Sequence, residues 1–328
     1  MVSTSPHTHA HRTTRGIMLD VCAALLPALA ASVYYFGTRV LAVTAVSVGC
    51  CVLFEFLSRI VMKRPQTVGD CSAAVTGLLL AYNLPATLPL WMVGFGALVA
   101  IVVVKQMFGG IGRNFVNPAI AARIVLLFSF AGPMTAWTLP TGHSWQVAPD
   151  AVASATPMAI LGGGAETAGQ SLPSLLQMFL GARAGSLGET CAAALLLGGL
   201  YLIVFKVISP IIPLTYLGTV AAFFFLAGGL DWRFTVYQLL GGGLLLGALF
   251  MATDYTTSPL TRKGKAIYGV GLGLLTAVIR LYGSLPEGVS FAILIMNILV
   301  PHIDALTAPI PFGKPKPPRK EGRRHAKA

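Results

Sequence analysis

Residues 71–104 read CSAAVTGLLLAYNLPATLPLWMVGFGALVAIVVV, with Asp70 before them and Lys105 after. No side chain in that run carries a charge. An amphipathic helix on a soluble protein shows a polar face every turn, and this run shows none. A helix that crosses lipid needs about 20 mostly apolar residues. Pro85 and Pro89 divide the run into two such segments.

The same pattern extends outward in both directions. Residues 124–149, 207–230 and 234–253 are also free of charge, as are the shorter 21–38, 40–54, 190–205, 266–279 and 288–303. Pro210 and Pro213 start a new segment after Lys206. Ten helices are predicted, over 17–36, 40–62, 70–84, 88–106, 117–131, 189–207, 211–229, 235–253, 266–282 and 287–306. The fold class is therefore an all-α polytopic membrane protein with about ten transmembrane helices. The whole chain agrees: of 328 residues 55% are hydrophobic and 10% charged, against roughly 25% charged in a soluble domain. Mean hydropathy is +0.76. These values exclude a disordered chain and a disulfide scaffold, and lipid replaces water as the solvent of most of the surface.

The net charge of +12 would suggest nucleic acid in a soluble protein, but its placement assigns it to topology. An even helix number puts both termini on one side. That side collects Arg12, Arg15, Arg59, Lys63, Arg64, Lys105, Arg113, Lys206, Arg262, Lys263, Lys265 and the tail residues Lys314, Lys316, Arg319, Lys320, Arg323, Arg324 and Lys327. The other side receives Arg39, Arg183, Arg233 and Arg280, while Arg123 falls within a helix. Basic loops stay in the cytoplasm, so both termini are expected there. Asp20 interrupts the first apolar run, which argues against a cleaved signal peptide despite Ala28-Leu29-Ala30.

Five units follow: a cytoplasmic tail 1–16, a first five-helix half 17–131, an extracytoplasmic segment 132–188, a second five-helix half 189–306 and a basic tail 307–328. At an offset near 174, Pro85 falls on Pro259 and Phe108-Gly109 on Tyr282-Gly283. Five helices per half would make the repeats inverted, with the site near the midplane at interrupted helices. The interrupted pieces are Gly109–Ala119 and Thr253–Pro259. Asn114, Asn117, Thr253 and Asp254 are their polar candidates, for a cation or a bound ring. Asp20, Glu55, Asp70, Asp254 and Asp304 are acids at or near membrane depth, where burial is costly. Several are expected to pair with Arg59, Lys63 or Arg262.

Cys22, Cys50, Cys51, Cys71 and Cys191 show no C-x-x-C spacing, and no metal-ligand pattern, P-loop or dinucleotide fingerprint is present. No catalytic residue is assigned. The segment 132–188 contains Asp150-Ala151-Val152-Ala153-Ser154-Ala155-Thr156-Pro157-Met158, which composition alone reads as a turn leading into a short helix.

That stretch resembles the flavin-attachment motif of the family that holds the D-type subunit of the Rnf electron transport complex and the B-type subunit of the Na+-pumping NADH:quinone reductase. In that family a flavin transferase joins FMN by a phosphoester to the Thr of a D-x-x-S-G-A-T-like sequence. The resemblance implies attachment at Thr156, with Asp150, Ser154 and Ala155 as recognition positions. Ala153 and Ser154 depart from the usual pattern, whereas Asp150, Ala155 and Thr156 keep it. Thr67–Asp70 with Ala74–Leu80, the Gly109–Ala119 block, Phe250–Asp254 and Asn297–Pro301 are family-like too, so the resemblance covers nearly the whole membrane portion. Pro157 and the short chain look more like the Rnf member of the family.

The resemblance implies an electron-transfer subunit, in a bacterial inner membrane, of a complex that couples ferredoxin and NAD+ to Na+ or H+ transport. Its partners would be the other membrane and peripheral subunits, a flavin transferase and the bilayer, with no nucleic acid. A second, non-covalent flavin resembling riboflavin is implied near the interrupted helices. The alternatives are the quinone-reducing member of the family and a non-redox transporter of inverted repeats.

Overall fold

The computed structural model describes residues 12–140, 156–162, 172–283 and 288–309, and among them every regular element is helical. Helix lies in all ten stretches expected to be helical, in 235–253 as two helices and in the other nine as one helix with ends displaced by a few residues. They are α1 (Thr14–Phe36), α2 (Arg39–Val61), α3 (Ser72–Tyr82), α4 (Leu90–Gln106), α5 (Pro118–Ser129), α9 (Ala192–Val204), α10 (Ile211–Ala227), the pair α11 (Trp232–Leu240) and α12 (Leu244–Met251), α13 (Arg262–Tyr282) and α14 (Val289–Thr307). Three short helices lie between α5 and α9: α6 (Ala131–Thr135), α7 (Pro157–Leu161) and α8 (Leu175–Leu180). Four helices, α1, α2, α13 and α14, are long and apolar enough to cross a membrane. The pair α11 and α12 makes a fifth if taken as one span.

The structure departs from sequence expectation at 235–253, which is not one helix. α11 and α12 meet at an angle of 64°. Gly242 and Gly243 turn the chain there with φ of 64° and 67°, a region open to glycine and costly for other residues. α13 begins at Arg262 rather than 266, because Thr261 accepts from the Gly264 N–H at 2.9 Å and caps it. α3 is shorter than 70–84, since Asp70 lies outside it and accepts from the Ser72 N–H at 2.8 Å.

Tight helix pairs are set by small residues, as expected where lipid supplies no hydrophobic contrast. A Cβ on Gly77 of α3 would lie 2.7 Å from the Val48 Cα of α2, and Ser47 donates to the Gly77 carbonyl at 2.7 Å. A Cβ on Gly273 of α13 would lie 2.5 Å from Thr219 of α10. Gly198 brings α9 against the Ala24 carbonyl of α1. Around the core, α2 packs on α3 and α4, and α10 on α11 and α13.

Candidate functional site

Helices α4 and α12 both end in wide turns. The Met107 N–H reaches the Val102 carbonyl at 3.0 Å and the Ala252 N–H the Gly247 carbonyl at 2.7 Å, each five residues back. Such turns are frequent at functional sites. The chain following each one leads into the same cavity. It has a volume of about 280 Å³ and is lined from α1, α3, α4, the 111–118 connection, α9 and the 253–256 connection. Ile17, Met18, Val21, Val75 and Leu79 form its apolar wall.

The polar wall is built by the two interrupted segments. Asn114, Asn117, Thr253 and Asp254 all line the cavity, so four of the eight residues expected at a site come together. Asn117 caps α5, accepting from the Ala119 N–H at 3.1 Å, with Pro118 at the favoured first helical position. Its amide also donates to the Met251 carbonyl at 3.4 Å. Asn114 donates to Thr256 Oγ1 at 3.1 Å. Asp254 accepts from the Thr256 hydroxyl at 3.0 Å and its N–H at 3.3 Å, and from Thr257 at 3.4 Å.

Lys105 and Ser72 also line the cavity, and neither was expected from sequence. Lys105 Nζ lies 2.8 Å from Glu55 Oε2 and 2.6 Å from Ser72 Oγ. Thr67 donates to Glu55 Oε1 at 2.6 Å. Glu55 is 0% and Lys105 3% exposed. The one signal available was position: Lys105 is the charge that ends the 71–104 run. Acids were expected to pair with Arg59, Lys63 or Arg262, and the structure corrects that. Glu55 pairs with Lys105, Asp20 lies 3.9 Å from Arg12, and Asp304 accepts from the Leu260 N–H. Asp70 accepts from Ser72, because a helix start next in the chain supplies donors at no entropic cost.

Thr156 is the N-cap of α7, accepting from the Ala159 N–H at 3.3 Å, with Pro157 following. It is 5% exposed. Two residues on, Met158 Sδ lies 2.5 Å from where a Cβ on Gly241 would stand. Short α7 is thus seated on the break between α11 and α12. Arg280 holds the other side of that break, donating to the carbonyls of Gln238 at 2.6 Å and Gly241 at 2.9 Å. Asp150, Ser154 and Ala155 lie outside the described residues.

The residues present fit both groups that the resemblance implies. A capping Thr oxygen that becomes a phosphoester still accepts the Ala159 N–H, and Arg280 supplies a cation beside the helix that carries it. Seating α7 so closely requires glycine at 241, since a Cβ there would fill the space of Met158. The cavity between α1 and α3 offers an apolar wall and a hydrogen-bonding wall, which is what a flat heteroaromatic ring with polar edges needs.

Residues 1–313 match the model of the NQR2, RnfD, RnfE family. The chain is 47% identical to the D-type subunit of the Na+-translocating ferredoxin:NAD+ oxidoreductase complex of Acetobacterium woodii, with 96% of each chain covered. It is 41% identical to the D-type subunit of the proton-translocating ferredoxin:NAD+ oxidoreductase complex of Clostridium ljungdahlii, over 95% of this chain and 96% of that one. It is 39% identical to the D-type subunit of the ion-translocating oxidoreductase complex of Stutzerimonas stutzeri, over 91% and 92%.

Proposed function

The chain belongs to the NQR2, RnfD, RnfE family, and from that premise we propose that it is the D-type subunit of an ion-translocating ferredoxin:NAD+ oxidoreductase complex. It is a multi-pass membrane subunit of a redox-driven ion translocase and acts with the other subunits of that complex. Near-complete coverage of the D-type relatives at 39–47% identity supports this reading. The coupled ion is Na+ or H+, both of which appear among these relatives' names.

FMN is attached at Thr156 by a flavin transferase, with Asp150, Ser154 and Ala155 as recognition positions. Bound there, it supplies one- and two-electron chemistry that no side chain of this protein can. The chain contributes the rest. Thr156 fixes the point of attachment, Met158 seats α7 on the break at Gly241, and Arg280 sets positive charge beside it. A riboflavin-like flavin would be held in the cavity by Val75 and Leu79 on the apolar wall and by Asn114, Asn117, Thr253 and Asp254 on the polar wall. The observation that carries this part is the meeting of the two interrupted segments at one cavity.

Ten crossings arranged as two five-helix halves, 17–131 and 189–306, complete the picture. The packing of α2 on α3 and α4, repeated by α10 on α11 and α13, supports it. The segment 132–188 with Thr156 is extracytoplasmic, the tails 1–16 and 307–328 are cytoplasmic, and the membrane is the bacterial inner membrane.

The test is the denatured protein on a gel, made in a strain with its flavin transferase. A fluorescent band is expected for the wild type and for Thr156→Ser, and none for Thr156→Ala. A dark wild-type band or a fluorescent Ala variant overturns the attachment. Ferredoxin-dependent NAD+ reduction by the purified complex, against quinone reduction, separates this reading from the quinone-reducing member of the family.

A further inference from the structure

Arg59 stands in the last turn of α2 and is 6% exposed. Its guanidinium makes no hydrogen bond and no ion pair with any of the described residues, and its Nε is fully enclosed. Glu55, one turn earlier, is its natural partner by helical spacing, but both Glu55 oxygens are taken by Lys105 and Thr67. Beside it the Gln106 side chain, 0% exposed, leaves both its Nε2 and Oε1 unpartnered. The two groups face the same turn. A Cβ on Gly110 would strike Arg59 Nη2 and come within 3.7 Å of Gln106 Oε1, and Gly110 has φ of 98°. A charge and an amide buried side by side without partners are costly, and the pair lacks an anion.

The surroundings define which anion. Lys63 and Arg64 follow on the chain, Arg64 donates to the Gln106 carbonyl at 3.1 Å, and the Arg113 side chain folds over Gly109. Next to these cations Ile60, Val61, Met107 and Phe108 are exposed. Apolar side chains bordering a cluster of cations at a helix end are what the headgroup level of a bilayer asks for.

We propose that Arg59, Gln106 and the glycine turn at Gly110 form a binding site for the phosphate of an anionic phospholipid headgroup, with the acyl chains along Val61 and Met107. A guanidinium suits phosphate by its planar fork, and the Gln106 amide donates beside it.

The experiment is thermal unfolding of the purified full-length chain in detergent with added phosphatidylglycerol, phosphatidylcholine or inorganic phosphate. A ligand that binds only the folded state raises the midpoint. The expected result is a rise with phosphatidylglycerol alone, reduced at least tenfold in apparent affinity in Arg59→Gln and Gln106→Leu. Phosphatidylglycerol should also co-purify with the wild type by native mass spectrometry. That measurement decides the matter if Arg59→Gln does not fold. Equal responses to the two lipids, or an unaltered response in both variants, overturn the proposal. So does a rise with inorganic phosphate alone, which would mark a free-anion site. Loss of partner subunits from the Arg59→Gln complex with lipid retention unchanged would assign the pocket to a partner's carboxylate instead.

Discussion

Asn114 and Thr256, 142 residues apart in the chain, are joined by a hydrogen bond of 3.1 Å between the Asn114 amide and the Thr256 hydroxyl. Thr256 in turn donates to Asp254, so one short network ties the chain after α4 to the chain after α12. Asn117 adds a second tie through the Met251 carbonyl.

Replacing Asn117 therefore removes two things at once. Asn117→Ala loses the cap of α5, which is worth about 1 kcal/mol, and a cross-segment bond worth about 1 kcal/mol more. We expect a lower unfolding midpoint together with reduced non-covalent flavin in the purified protein. Asn117→Ser restores the cap but not the tie. It should recover most of the stability and little of the flavin, measured by extraction under conditions that leave ester-linked flavin on the chain. Recovery of both would show that the cap alone matters.

Glu55 and Lys105 behave as a buried pair in which each partner justifies the other. Removing one leaves an enclosed, uncompensated charge, a loss of about 3–5 kcal/mol. Glu55→Gln and Lys105→Met should each lower the midpoint of unfolding sharply. The double variant should recover a large part of that loss, since no lone charge remains. Strictly additive losses in that double-mutant cycle would mean that the two side chains do not depend on each other.

The helices were legible from the sequence because charge-free runs and prolines mark them directly. The break at Gly241–Gly243 was not, because three glycines inside an apolar run read equally well as close packing. The cavity was half legible. Asn117 announced itself as a cap before Pro118, and Thr253 and Asp254 as polar residues after an apolar span. Lys105 and Ser72 were hidden: their role depends on α2, α3 and α4 meeting in space, and no local spacing encodes that. The idle guanidinium of Arg59 was hidden for the same reason, since Glu55 at helical spacing looks like its partner.

Two glycines near one another test the packing of α2 against α3. A Cβ on Gly77 would meet the Val48 backbone at 2.7 Å, whereas one on Gly49 meets nothing within 4 Å. Backbone cannot move aside as a side-chain tip can, so Gly77→Ala should cost about 1–3 kcal/mol through strain. Gly49→Ala should be neutral or stabilising, by up to about 1 kcal/mol, from helix propensity. Thermal unfolding of both variants in one detergent checks the opposite signs, and a comparable loss in both would contradict the close approach.

The orientation rests on eighteen basic residues at one level against four at the other. Basic segments resist translocation, and short loops near span ends weigh most. A green fluorescent protein fused after Ala328 should fluoresce, because it matures in the cytoplasm. Alkaline phosphatase fused after Pro140, at the start of the segment that holds Thr156, should be active, because it requires export. The two fusion points lie on opposite sides if the number of crossings between them is odd, as it is when α9 to α14 supply five spans, and the reporters are then both on or both off. One reporter on and the other off would mean that one of the short helices or the bent pair α11 and α12 does not cross. A dark fluorescent fusion with an inactive phosphatase would invert the chain and put Thr156 on the cytoplasmic face.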